Sequence, residues 1–393
     1  MLDQAKTNAQ RVAATALVTL ALVACGGPDK PAETPPIASA HVEPVAAPTP
    51  VAPAPAASPA APVASVPKQD ALPPPKPTTI GLARTGDAKL DALLSEGDKA
   101  FEDDDLAKAS AAYESARKAA PTKAAPIVGV ARAKIAKASP AFGYAAAEKN
   151  PDVTAATKEL KRAVQMEPAF APAQVELGRA LLLLGDGAAA ESALRKGVQA
   201  MPEEAEAHSA LGVALLATGK SAEALTELTK ARDLDPGSAA RRGNLGTVLF
   251  MNGRVAEAVK EYEIAVGLMP ESAQVHSDLG TALLAQSDFA RALPELQRAV
   301  ALDPKRATYR SNLGYALQLS GKVTEAIAQY RSALAIDNKL ASAWINLATA
   351  LARDPKTRGE ARQALKTAEK LDPTDPRVKA NLAELDALER SKP

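Results

Sequence analysis

The sequence predicts an all-α solenoid of about eight helix hairpins, and three observations predict it. Prolines recur at 168, 202, 236, 270 and 304, a constant interval of 34 residues, the mark of an array built from one repeated supersecondary unit. Small residues recur in the same phase. With place one set three residues after each proline, place twenty is Ala109, Ala156, Ala190, Ala224, Ala258, Ala292, Ala326 and Ala361 in turn. Aromatic residues make up only 3% of the chain, with one tryptophan. A core must then be built from Leu, Val and Ala, as helices do and as sandwiches and barrels do not.

Taken from the start, Lys6 and Arg11 precede an apolar run of thirteen residues from Val12 to Ala24. That is short for a bilayer span and typical of the hydrophobic part of a secretory signal. The run ends in Leu22-Val23-Ala24-Cys25. This tetrad resembles the lipobox of bacterial lipoproteins, and the resemblance implies cleavage before Cys25 and acylation of its thiol, with residues 1–24 removed as signal peptide. Several acyl chains, palmitate among them, hold a protein firmly where one holds it marginally. Gly26 follows where an Asp favours inner-membrane retention, so the resemblance implies the outer membrane, facing the periplasm. An ordinary secretory signal with a chance cysteine is the other reading.

Residues 25–88 then read as a linker. Proline is too dense for a helix or strand period, and such chains favour extended polyproline II. At about 3.1 Å per residue, fifty or so residues reach roughly 150 Å. The segment is either a stalk that holds the folded part off the membrane or a spacer of no selected length.

The folded part covers residues 89–375, in units of about 90–123, 124–170, 171–204, 205–238, 239–272, 273–306, 307–340 and 341–375. Place seven is Leu177, Leu211, Leu245, Leu279, Leu313 and Leu347; place eight is Gly97, Gly178, Gly212, Gly246, Gly280 and Gly314. Small residues at eight, twenty and twenty-seven let helix axes approach closely, and leucine at seven fills the seam. Turns such as Thr218-Gly219-Lys220 and Ser320-Gly321-Lys322 supply the left-handed residue that ends a first helix; proline ends the second. A lone hairpin cannot bury its apolar face, so neighbours stack.

These places resemble the tetratricopeptide repeat: a large residue at four (Trp344), Leu-Gly at seven and eight, Ala at twenty, an aromatic at twenty-four (Tyr113, Tyr262, Tyr330) and proline at thirty-two. The resemblance covers about residues 90–390 and implies a non-enzymatic scaffold whose concave face binds protein. Residues 376–393 read as a capping helix and tail. Two features depart from the pattern. Pro294 falls inside a second helix, where it is expected to kink the helix or shorten its start. An insertion at 136–152, bearing Phe142 and Tyr144, reads either as longer helix ends or as an exposed contact loop.

Composition removes other classes. Forty-seven Lys and Arg balance forty-six Asp and Glu, so no global field favours nucleic acid. One cysteine excludes a disulfide and a cysteine metal cage, and three histidines leave little for His-centred catalysis. Thr218-Gly219-Lys220-Ser221 lacks the earlier glycine and preceding strand of a phosphate loop. Asp103-Asp104-Asp105 lacks the alternation of a calcium loop and reads as a capped turn. His208 and His276 share place four with Gln174, Arg242, Arg310 and Trp344, a structural rank. No catalytic, cofactor or metal site is expected.

The candidate peptide-binding residues lie on the first helices: Asn244, Asp278, Asn312 and Asn346 form a row at place six, beside Thr247, Thr281, Tyr315 and Phe250. Asparagines so placed resemble the amide ladder with which some relatives hold an extended backbone, since a carboxamide both donates and accepts; a common helix-packing triplet is the plainer reading. The expected role is a lipid-anchored envelope scaffold for one or more envelope proteins, concretely assistance to pilus or secretin assembly. The alternative is a regulatory adaptor of a peptidoglycan-active enzyme.

Overall fold

The computed structural model describes residues 79–138 and 150–390, together with 72, 73 and 75. Cys25, the hydrophobic run, most of the linker, Phe142 and Tyr144 lie outside the described residues. Within them are seventeen α-helices and no strand. The hairpins begin with α1 (Ala88–Glu102) and α2 (Leu106–Ala119), then α3 (Ala124–Ala138) and α4 (Pro151–Met166). Next come α5 (Ala171–Leu183) with α6 (Gly187–Ala200), α7 (Ala205–Ala217) with α8 (Ser221–Leu234), and α9 (Ala239–Met251) with α10 (Val255–Leu268). The last three are α11 (Ala273–Ala285) with α12 (Phe289–Leu302), α13 (Ala307–Leu319) with α14 (Val323–Ile336), and α15 (Ala341–Leu351) with α16 (Arg358–Leu371). A final helix, α17 (Pro376–Arg390), closes the array.

The phase read from the sequence is the phase of the packing. All eight alanines at place twenty are fully buried. A Cβ on Gly212 would fall 2.4 Å from the Leu228 side chain, and one on Gly246 would fall 2.7 Å from the Tyr262 ring. Place eight is therefore empty because place twenty-four of the same hairpin fills it. Second helices stop two residues short of the repeat proline, as at Leu234, Leu268 and Leu302, because the residue before proline leaves the α region.

Two departures resolve. α12 starts at Phe289, in register with α8, α10 and α14, so Pro294 does not shorten it. The Asp288 carboxylate caps its first turn, accepting from the Arg291 N–H at 3.1 Å, and buried Ala292 and Leu296 anchor it. Around the insertion, α3 runs to Ala138 and α4 starts at Pro151, each about two residues beyond its counterparts. Longer helix ends thus take up part of the extra length, and the remainder lies outside the described residues.

At place fifteen, the turn between helices, Gly185, Gly219, Gly253 and Gly321 have φ of 74°, 76°, 73° and 80°. Asp104 and Ser287 adopt the same left-handed conformation at φ 60° and 61°, which crowds a Cβ. Ser287→Gly should stabilise the protein by about 0.5–1 kcal/mol. Urea denaturation checks it, and a lower midpoint would contradict the strain.

Candidate partner-binding groove

First helices of neighbouring units pack on one another as well as on second helices, and so form the inner wall of the solenoid. At place four, five of the units are tied to the one before. Nε2 of His208 and of His276 lies 2.9 Å from the carbonyls of Pro202 and Pro270. Arg242 donates to Pro236 O at 2.9 Å, and Trp344 to Asn338 O at 2.9 Å. The other ring nitrogens face Glu227 at 2.6 Å and Glu295 at 2.5 Å. Burial disfavours the charged imidazoles, but the glutamates outweigh it and both titrate above the usual histidine value. This is the structural rank expected.

The first half of the inner wall is covered by the chain itself. Thr79 to Gly86, which the sequence assigned to the linker, forms a strap in which Ile80 and Leu82 are 1% and 0% exposed. The Leu82 N–H donates to Asp98 Oδ2 at 2.6 Å, and the Ile80 carbonyl accepts from Arg132 Nη2 at 2.8 Å. Thr79 Oγ1 donates to Glu102 at 2.8 Å, and Arg84 reaches Glu204 at 3.7 Å and Met201 Sδ at 3.4 Å. An extended chain alternates its side chains: Ile80 and Leu82 turn inward while Gly81 and Ala83 are half-buried. The alternation Ile-x-Leu after the last dense prolines was the sequence signal for this element.

Beneath the strap runs a chain of opposite charges. Asp98 on α1 pairs with Arg132 on α3 at 3.1 Å, and Arg132 pairs with Glu176 on α5 at 2.8 Å. Arg179 pairs with Glu176 at 3.4 Å and with Glu206 on α7 at 3.5 Å. Arg241 on α9 follows, 3.6 Å from Glu206 and 3.4 Å from Asp235. Burial raises the Glu176 carboxyl, but Arg132 and Arg179 outweigh it and hold it below the usual range. The Tyr113 hydroxyl donates to Asp98 at 2.8 Å, and burial pushes that phenol up.

From α9 onward Met251, Tyr315 and Leu319 remain exposed, and the sequence-predicted residues are here. Asn244 and Asn312 donate to Ser209 Oγ at 3.1 Å and Ser277 Oγ at 3.2 Å of the unit before. The amide row therefore joins units, with Asn244 buried and Asn312 and Asn346 half-buried. Thr247 is buried and bonded to Gly243 O at 3.0 Å and to the Tyr262 hydroxyl at 3.0 Å. Thr281 donates to Ser277 O at 2.8 Å. Phe250 is half-buried and Tyr315 is 42% exposed. With Tyr315, Met251 and Leu319 complete an apolar display on α9 and α13.

Asp278 is the exception to the pairing pattern. Its Oδ1 accepts from Gln274 Nε2 at 2.7 Å, and Gln274 Oε1 accepts from the Tyr309 hydroxyl at 2.9 Å. Burial pushes its carboxyl up to about 7, against the smaller pull of the Gln274 bond. An acid whose folded value lies above its unfolded one takes up protons on folding, so stability falls as pH rises from about 4 to about 7. Asp278→Asn should raise stability by about 1–3 kcal/mol at pH 8 and leave it nearly unchanged at pH 4. Denaturant titrations at the two pH values check this; an equal effect at both would refute it.

The tetratricopeptide repeat family matches residues 141–205, 177–239, 209–273 and 277–341, together just over half of the chain. The chain belongs to the tetratricopeptide repeat family, whose members are protein-binding scaffolds. Among solved structures it is similar to the APC/C hetero-tetramer Cut9-Hcn1, at 18% identity and a TM-score of 0.59, over 77% of this chain. It spans 57% of that structure's length, and the likeness is one of fold. It is also similar to Pseudomonas aeruginosa pilF, at 23% identity and a TM-score of 0.47, over 56% of this chain and 98% of that one. YrrB, described as a TPR protein with an unusual peptide-binding site, is 26% identical with a TM-score of 0.38, over 48% of this chain and 97% of its own. No curated protein matches the sequence.

Proposed function

We propose that this protein is a lipid-anchored scaffold of the bacterial envelope, at the outer membrane and facing the periplasm. Cys25 bears the anchor, the proline-rich linker spaces the array from the bilayer, and the half-groove from α9 to α15 holds a partner protein. The observation that carries the reading is the division of the inner wall. Its first half is filled by the strap, while the second half displays Met251, Tyr315 and Leu319 with nothing described over them. Exposed apolar side chains gathered on one face mark a docking surface. The anchor rests on the Leu22-Val23-Ala24-Cys25 tetrad.

The partner class to test first is a component of a pilus or secretin pore. A photo-crosslinking residue in place of Tyr315, activated in intact cells, should capture such a component. Capture of a peptidoglycan-active enzyme instead would move the assignment to a regulatory adaptor, and capture of cytoplasmic proteins alone would end it. Cys25→Ala should release the protein from the membrane fraction. An unchanged distribution would remove the anchor.

A further inference from the structure

The strap shows what this inner wall grips. Ile80 and Leu82 sit on one side of an extended segment and are wholly buried. Their backbone is held by side chains of the first helices, Asp98 and Arg132. Two residues further on, Arg84 reaches a carboxylate of the array, Glu204. The bound pattern is apolar-x-apolar-x-basic, read by hydrogen bonds to the backbone and by an acid at its end.

The open half offers apolar and acidic groups of the same kind, with no described segment of the chain over them. Met251, Tyr315 and Leu319 offer apolar contacts. The Asn312–Ser277 bond brings α13 against α11 beside Asp278, and Tyr315 lies about one turn beyond Asn312. In the covered half each inward carboxylate has its arginine: Asp98 and Glu176 have Arg132, and Glu206 has Arg179 and Arg241. Asp278 is bonded to the neutral Gln274, with the phenol of Tyr309 behind it. A half-buried carboxylate without a cation is costly to its own chain and strongly favourable to a ligand that brings one.

We propose that the half-groove from α9 to α15 binds an extended partner segment of apolar-x-apolar-x-basic pattern, whose Arg or Lys side chain pairs with Asp278. This rests on the docking role given to that half-groove and names the chemistry of what docks there. Apolar side chains of the segment pack on Met251, Tyr315 and Leu319. Partner segments that place an acid at the basic position are rejected by the same carboxylate.

The test uses the full chain and labelled synthetic peptides carrying the strap's own order, Thr-Ile-Gly-Leu-Ala-Arg, with Gln or Glu replacing Arg in two further peptides. Fluorescence anisotropy should show the Arg peptide binding at least about tenfold more tightly than the Gln peptide, and the Glu peptide weakest. Asp278→Asn should abolish the preference for Arg without abolishing binding of the Gln peptide, and Asp278→Glu should keep it. Equal binding of the three peptides, or an Arg preference that survives Asp278→Asn, would overturn the proposal. So would an absence of binding at millimolar peptide. If Tyr315 still cross-links a partner in cells when the peptides show no preference, the docking role stands and only the charge rule falls.

Discussion

Replacing Arg132 with alanine should destabilise the first two hairpins by about 3–5 kcal/mol, the loss expected when one member of a buried ionic set is removed. Arg132 is 3% exposed and uses its guanidinium fully. Nε donates to Glu176 at 3.0 Å, Nη1 to Asp98 at 3.1 Å and Nη2 to the Ile80 carbonyl at 2.8 Å, and the group lies 5.7 Å from the centre of the Phe101 ring. Without it, Asp98 loses its arginine, Glu176 keeps only Arg179, and the strap loses a backbone bond. Neighbouring units in a solenoid are coupled only to their nearest neighbours, so the damage should be local. Hydrogen exchange should accelerate in residues 79–138 and stay unchanged in α9–α17. Arg132→Lys should recover only part of the loss, because an ammonium cannot reproduce the planar fork. Unaltered protection of the strap in Arg132→Ala would show that the strap is held by Ile80 and Leu82 alone.

The repeat was legible because its determinants are local and periodic. The glycine at place eight and the large residue at place twenty-four stand sixteen residues apart in six hairpins, as Gly246 and Tyr262 do, so one hairpin's packing is written six times and the phase is overdetermined. The strap and the ion chain are written once. Arg132 bonds to residues 34, 44 and 52 positions away; Asp98 and Glu176 sit at places nine and six, where the repeat imposes no residue type, and Ile80 lies before the repeats begin. Nothing in the period announces that Asp98, Arg132, Glu176, Arg179 and Glu206 alternate in sign across space, since a charge at such a place reads equally as a solvated face.

The amide row shows a subtler limit. Its place on the inner wall followed from the phase, but its bonds did not. Asn244 and Asn312 meet serines 35 residues earlier, one unit back and one place over. The pairing needs serine at place five below asparagine at place six. That pair is bonded at Ser209–Asn244 and at Ser277–Asn312, and it is broken between them, where Asp278 has no such serine to meet because Gly243 holds place five of the unit before. The break in the row is where Asp278 turns to Gln274 of its own helix instead.

Arg241→Ala should also cost about 3–5 kcal/mol, and here the reason separates burial from bonding. Arg241 is 1% exposed, yet its guanidinium is poorly satisfied. Its nearest ionic contacts are at 3.4 Å to Asp235 and 3.6 Å to Glu206, Ser238 Oγ lies at 3.5 Å, and Nη2 has no hydrogen-bond acceptor. Such a group adds little net stability itself, but its removal takes from the Asp235 carboxylate, which is 1% exposed, the cation that faces it at 3.4 Å. Neutralising both ends should therefore do better than neutralising one. Arg241→Met combined with Asp235→Asn should recover at least half of the loss, because Glu206 keeps Arg179 and no charge remains buried alone. A double-mutant cycle by urea denaturation measures the coupling directly. Additive losses would mean that Arg241 stabilises α9 through its hydrocarbon stem. This site joins the covered half of the inner wall to the open half. Its single variant should therefore loosen the junction between α7 and α9, with protection in α13–α17 retained.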